Sequence, residues 1–88
     1  MRANADPDAL ESFSGQLAHF INELGDAQAS LDSHFASLQD SWDDPQSRQF
    51  EQELAELRSV LRRFQASAAE HVPHLRALAS RLRDYLQA

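Results

Sequence analysis

The chain has 88 residues, no cysteine and a formal net charge of −6. This length predicts one domain over residues 1–88, whose core is marginal unless a partner shares it, and the lack of cysteine excludes disulfides and cysteine–metal frameworks. The acidic balance argues against nucleic acid as a partner, and no stretch is apolar enough for a signal peptide or for membrane insertion.

The first predicted element is one long α-helix over about residues 7–42. Leucines recur every seven residues through this half, and aromatic residues follow them by three or four positions. That spacing puts the apolar side chains on one continuous helical stripe. Asp6 and Pro7 are a typical helix start, because aspartate can accept free backbone N–H groups and proline at the first position has none to lose. The predicted core positions of this helix are Leu10, Phe13, Leu17, Phe20, Leu24, Leu31, Phe35 and Leu38.

The second predicted helix covers about residues 45–86 and repeats the pattern. Asp44 and Pro45 repeat the start signal, and two heptad rows of apolar residues run through the segment. Pro73 lies inside it and removes a backbone hydrogen bond, so we expect a kink near Pro73 with the helix resuming beyond it. The predicted core positions of this helix are Phe50, Leu54, Leu57, Leu61, Phe64, Leu75, Leu78 and Leu82.

A turn at about residues 43–44 joins the two helices. Its residues are Trp42, Asp43, Asp44 and Pro45. Trp42 is in phase with the first stripe and is predicted to be the last core residue of helix one. Two roles are open for its ring, which either plugs the end between the helices or faces solvent as an anchor for a partner.

The predicted fold is therefore all-α, an antiparallel two-helix hairpin. Residues 1–47 carry nine acids against one arginine, a net −8, whereas residues 48–88 carry seven arginines against five acids, a net +2. Opposite charges favour the two helices lying side by side. The apolar stripes are wider than one neighbouring helix can cover. We therefore expect a four-helix bundle, formed as a homodimer or as a heterodimer with a similar helical hairpin.

The sequence offers no catalytic site. Its serines lie in no Gly-x-Ser-x-Gly elbow and no glycine-rich loop is present, so we predict that the protein is not an enzyme and needs no cofactor. A metal site is conceivable, because His71 and His74 lie three residues apart beside Glu70. The hairpin would bring His19 to about the same level. Pro73 interrupts the histidine pair, however, and we predict no metal.

A long helix ending in Leu-x-x-x-Trp, with an aromatic residue eight positions after the tryptophan, resembles the WXG superfamily, the early-secreted-antigen-like helical hairpins of type VII secretion. The matching residues are Leu38, Trp42 and Phe50, and the resemblance covers nearly the whole chain. Asp44 stands where the family has glycine, which would ease a left-handed turn, but Asp44 gains an N-capping role. The resemblance implies a small non-enzymatic protein–protein interaction protein, similar to type VII secretion substrates or their co-secreted partners.

The C-terminal residues also depart from the family pattern. Family members, or one partner of a pair, usually carry a Tyr-x-x-x-Asp/Glu export signal, whereas Tyr85 is followed only by Leu86, Gln87 and Ala88. Two expectations for location follow: secretion by a signal-peptide-independent route, with a partner supplying the signal, or a cytoplasmic location. The alternative function is an intracellular coiled-coil structural adaptor or assembly subunit unrelated to secretion.

Overall fold

A computed structural model describes residues 5–87, which form two α-helices joined by a short connection. Helix α1 spans Pro7–Gln39 and helix α2 spans Pro45–Gln87. The two helices pack against each other in antiparallel directions, and the molecule is a rod with extents of 66 × 22 × 16 Å. The predicted all-α antiparallel hairpin is confirmed, and its assembly into a four-helix bundle stays a prediction.

Both helices begin with an aspartate followed by proline. At α1, Asp6 Oδ1 accepts a hydrogen bond from the Asp8 N–H at 3.0 Å. At α2, Asp44 Oδ1 accepts from the Ser47 N–H at 2.9 Å, while Ser47 Oγ accepts from the Asp44 N–H at 3.0 Å. The second start is therefore a reciprocal cap, which satisfies one backbone donor in the first turn and one just outside it.

The connection between the helices is longer than predicted. Helix α1 ends at Gln39, three residues before the expected end at residue 42, so Trp42 lies in the connection and not on the helix. The N–H groups of Asp40 and Ser41 donate to carbonyls three residues back, at 3.2 and 3.1 Å. Such bonds tighten the last turn. The Trp42 N–H still donates to the Leu38 carbonyl four residues back, at 2.9 Å, and this bond closes the end of α1.

Helix α2 continues through Pro73 to Gln87. At the open end of the hairpin, the Arg83 guanidinium donates to Asp8 Oδ1 at 2.8 Å and also binds the Glu11 carboxylate. The hydrogen bond to Asp8 raises the pKa of Arg83 above its ordinary value, and the bond to Glu11 raises it further. The pairing of the helices therefore extends to residue 83, and the exposed Tyr85 lies beyond it.

Small side chains fill much of the seam between the helices. Ser14 and Ala79 are completely buried, and Ala68 and Val72 are buried as well. Since small residues let two helix backbones approach closely, the seam has little room for the larger apolar residues. Phe35 and Leu54 are the larger residues buried there, whereas many of the others lie exposed on one side of the hairpin.

Candidate interaction surface

Within residues 5–87, nine large apolar side chains remain between 38% and 57% exposed although the hairpin is folded, and all of them except Val60 are predicted core positions. The eight predicted core positions form two sets, one on each helix. Within each helix they recur at multiples of seven residues or at eleven, so each set lies on one stripe. We call these eight residues the apolar face. They are Phe13, Phe20, Leu31, Leu38, Phe50, Leu57, Phe64 and Leu78.

Aromatic contacts place the two stripes on the same side of the hairpin. Phe20 of α1 meets Phe64 of α2 edge-on, with ring centroids 6.2 Å apart. Nearer the turn, the rings of Phe35 and Phe50 are 5.6 Å apart. Aromatic pairs at these distances stabilise the packing beyond the area that they bury. The Phe20–Phe64 contact, and the space that Phe13 and Phe64 both line, therefore bring the two stripes to the same side of the hairpin, with the buried Phe35 beneath Phe50.

A socket interrupts the apolar face toward the open end of the hairpin. It has a volume of about 410 Å³. Ser67 and Ala68, both small, leave this space among larger neighbours on the two helices. The residues that line the socket are Phe13, Leu17, Phe64, Ser67, Ala68, His71 and Leu75.

At the turn end, Trp42 is half-buried and packs against Phe50, with ring centroids 6.3 Å apart. Its Nε1–H donates to Asp44 Oδ2 at 3.2 Å. The neighbouring Asp43 instead forms an exposed ion pair with Arg48 at 2.9 Å. The indole is thus held to the hairpin by both ring packing and a hydrogen bond, while part of it stays accessible.

The predicted core residues divide into three groups by burial. Phe35 and Leu54 are buried within the hairpin, and eight others form the exposed apolar face. The half-buried group is Leu10, Leu17, Leu24, Leu61, Leu75 and Leu82. Sequence reasoning missed Ser14, Ser47 and Ala79, all of which are buried. For Ser47 a signal was available, because it lies seven residues before Leu54 on the same heptad row.

Polar bonds across the seam fix how the helices align. The Arg58 guanidinium pairs with Asp32 at 2.6 Å, and Gln65 Nε2 donates to the Ile21 carbonyl at 3.2 Å. Sliding one helix along the other would leave these partly buried groups without partners, which costs free energy. The alignment of α1 with α2 is therefore well specified.

The described residues were also searched for a metal site and for a membrane-spanning helix. Within residues 5–87, no three His, Asp or Glu side chains are placed to hold a metal ion. His19 pairs with Glu23 on its own helix, and His71 lines the socket. In the same part of the chain, neither helix has a stretch apolar and long enough to cross a membrane.

The fold and the apolar face define a small helical-hairpin protein with a large uncovered apolar surface. The family model for proteins of 100 residues with WXG matches residues 2–85, so the chain belongs to the WXG100 family. The predicted resemblance is confirmed, and membership implies a small helical protein associated with type VII secretion. Helical-hairpin dimers are typical of this family. Comparisons with curated proteins and with solved structures found no match.

Proposed function

We propose that the protein is a non-enzymatic interaction protein that binds a second helical hairpin, its own copy or a similar chain, to form a four-helix bundle. In this role it is a type VII secretion substrate or a co-secreted partner. The observation that carries the proposal is the apolar face, on which eight large apolar side chains stay exposed side by side. Contiguous exposed apolar surface of this kind marks an interaction site.

The energy available from covering this face is large. An interface of standard size buries about 1,600 Å², and with somewhat more than half of it apolar, this burial is worth about 20 kcal/mol before the costs of association are subtracted. The hairpin also suits such pairing by shape, because its long parallel stripes present the same kind of surface that helices use within bundles. A second hairpin is therefore a fitting partner.

Sedimentation equilibrium at micromolar concentration tests the pairing. Leu57 is 46% exposed in the middle of the apolar face, and Leu57→Asp would bury a charge in the interface, so we expect the dimer to dissociate. Ala55→Asp is the matched control, because Ala55 is exposed about 200° further round the same helix. If the two variants had the same dimer dissociation constant, the role assigned to the apolar face would be refuted.

The secretion role needs a separate experiment in the source cells. We expect to find the protein in culture supernatants of secretion-competent cells. Deletion of the ATPase of the type VII secretion system should remove the protein from these supernatants. A cytoplasmic protein released only by lysis is the control for leakage. Retention of the protein inside competent cells, with the dimer intact, would instead support an intracellular structural adaptor.

A further inference from the structure

We propose that the hairpin has a second binding surface, on the side opposite the apolar face, which takes an acidic helix of a partner protein. An apolar side chain of that helix fills a groove between α1 and α2, and two of its carboxylates pair with Arg62 and Arg76. This surface is separate from the one in the proposed function, and its partner has a different chemistry.

The groove lies between the two helices and has a volume of about 230 Å³. His71 and Pro73 stand on either side of the buried Val72 along α2, and successive residues of an α-helix point about 100° apart. His71 lines the socket of the apolar face, so Pro73 points to the opposite side of the hairpin. We call this opening the rear groove. Its lining residues are Ala18, Ile21, Asn22, Ala69, Val72 and Pro73.

The lining of the rear groove is almost entirely apolar. Val72 is 8% exposed and forms part of its floor, while Ala18 and Ala69 are too short to fill the space above. Asn22 is the one polar lining residue and is itself exposed to solvent. An apolar side chain can therefore enter the groove and leave water without covering an unpaired polar group.

Four arginines follow the edge of α2 that borders the rear groove. They are spaced four, fourteen and seven residues apart, so they lie on one side of the helix. The outer two bind acids of α1: Arg58 pairs with Asp32 at 2.6 Å, and Arg83 pairs with Asp8 at 2.8 Å. The inner two are Arg62 and Arg76, and neither forms an ion pair with another residue in the range 5–87.

The surroundings of Arg62 and Arg76 supply no acid. On α2, the residues three and four positions before and after each of them include none. On α1, the bonds across the seam place Gly15 about level with Arg76 and Ala29 about level with Arg62. A Cβ at Gly15 would meet nothing within 4 Å, so this side of the groove is open. Although the chain is acidic overall, this edge therefore carries two positive charges without partners.

The two unpaired arginines flank the rear groove symmetrically. Ala69 lies seven residues from each of them, or about 10 Å along the helix axis. Arg62 and Arg76 are thus about 21 Å apart and differ by only about 40° in direction. A helix lying along the groove matches them with an acid, an apolar residue seven positions later and a second acid after seven more.

A helix suits this surface better than an extended segment. The backbone groups of α1 and α2 are mostly bonded within their own helices, so the rear groove offers no sheet edge to an extended chain. A helix satisfies its own backbone and packs against two neighbouring helices through its side chains. Acidic residues on the helix are complementary to the two guanidinium groups and set its position along the groove.

A designed peptide tests the charge pattern. The probe is an alanine-based helical peptide of about 21 residues, with leucine at its centre and glutamate seven positions to either side. At about 150 mM salt, where distant charges are screened, we expect a dissociation constant below about 1 mM. We expect the same peptide with lysine in place of glutamate to bind at least about fivefold more weakly. A glutamate peptide that does not bind at about 1 mM would overturn the proposal.

Charge reversal locates the site. The double variant Arg62→Glu, Arg76→Glu should bind the glutamate peptide at least about tenfold more weakly and the lysine peptide at least about fivefold more tightly than the wild type does. Arg63→Glu, Arg81→Glu is the matched control, with the same charge change on the outer surface of α2, and should change either affinity by less than about twofold. Equal effects of the two double variants would mean that only overall charge matters, which refutes the site.

Filling the groove tests the apolar contact. Ala69→Phe occupies it with the chain's own ring, and alanine in place of the central leucine of the peptide removes the group that enters it. We expect each change to weaken binding at least about fivefold, and the peptide change to cost little once the groove is filled. Ala77→Phe, on the exposed outer surface of α2, is the control. Circular dichroism checks that the variants stay helical, and Ala69→Leu replaces Ala69→Phe if the latter unfolds. Purely additive effects would refute the insertion.

The outcomes also separate the rear groove from the proposed function. Sedimentation equilibrium of Arg62→Glu, Arg76→Glu should match the wild type, and Leu57→Asp should leave the affinity for the glutamate peptide within about twofold. A dimer that does not bind the peptide keeps the proposed function and overturns the acidic partner. Peptide binding by a protein that stays monomeric supports the rear groove and overturns the pairing.

Discussion

Trp42 and Asp44 are joined by a hydrogen bond from the indole Nε1–H to the carboxylate Oδ2, at 3.2 Å. The other carboxylate oxygen of Asp44 accepts the Ser47 N–H at 2.9 Å and so caps α2. No residue between 5 and 87 has a positive φ, so the turn contains no left-handed conformation that requires glycine. The residue in place of the family's glycine therefore links the tryptophan to the start of α2.

The first prediction concerns the two bonds of Asp44. Asp44→Asn keeps an oxygen that can cap α2 but loses the acceptor for Trp42, and we expect it to cost about 1 kcal/mol of unfolding free energy. Asp44→Ala loses both bonds and should cost about 2 kcal/mol. Asp43→Asn, which removes only an exposed ion pair, is the control and should change little. Urea unfolding measures all three, and equal costs for Asn and Ala would show that capping contributes nothing.

The second prediction separates the two roles left open for Trp42. Trp42→Phe keeps a ring near Phe50 and loses the Nε1–H donor, so we expect a cost of about 1 kcal/mol. Trp42→Ala also loses the packing and should cost about 3 kcal/mol, at the lower end for such changes because the ring is only half-buried. A cost below about 1 kcal/mol for Trp42→Ala, with dimerisation lost, would identify the ring as a partner anchor.

The two helices could be predicted because their signals are local. Heptad spacing and the pairs Asp6-Pro7 and Asp44-Pro45 act within a few residues, whatever the rest of the chain does. The end of α1 at Gln39 could not be read in the same way. It depends on backbone bonds three residues back, which leave no mark on the apolar pattern, since Trp42 stays in phase with the stripe.

The sequence also could not predict which apolar residues are buried between the helices and which stay exposed. Hydrophobic periodicity shows which side chains avoid water but not whether α1, α2 or a partner covers them. Leu54 is buried in the hairpin while Leu57, one turn later, is 46% exposed. What decides between them is which side of α2 faces α1, and the heptad spacing leaves that open because both leucines lie on the apolar side of the helix.

The third prediction uses the two glycines of α1 as a matched pair. A Cβ at Gly15 would meet nothing within 4 Å, so Gly15→Ala should raise the unfolding free energy by about 1 kcal/mol through helix propensity alone. A Cβ at Gly25 would lie 3.3 Å from Gln65 Nε2, which donates to the Ile21 carbonyl. We expect Gly25→Ala to lose that bond and gain little. Equal gains in thermal unfolding would mean that Gln65 moves without cost.

The last prediction tests whether small residues set the distance between the helices. Ala79 is fully buried, so Ala79→Leu must push α2 away from α1 or force its own side chain into a strained rotamer. Overpacking of this kind costs about 1 to 3 kcal/mol. Ala77→Leu is the control, because Ala77 is exposed on the same helix and tolerates the larger side chain. Urea unfolding of both variants gives the difference. If Ala79→Leu were as stable as Ala77→Leu, the seam would be loose enough to admit large residues.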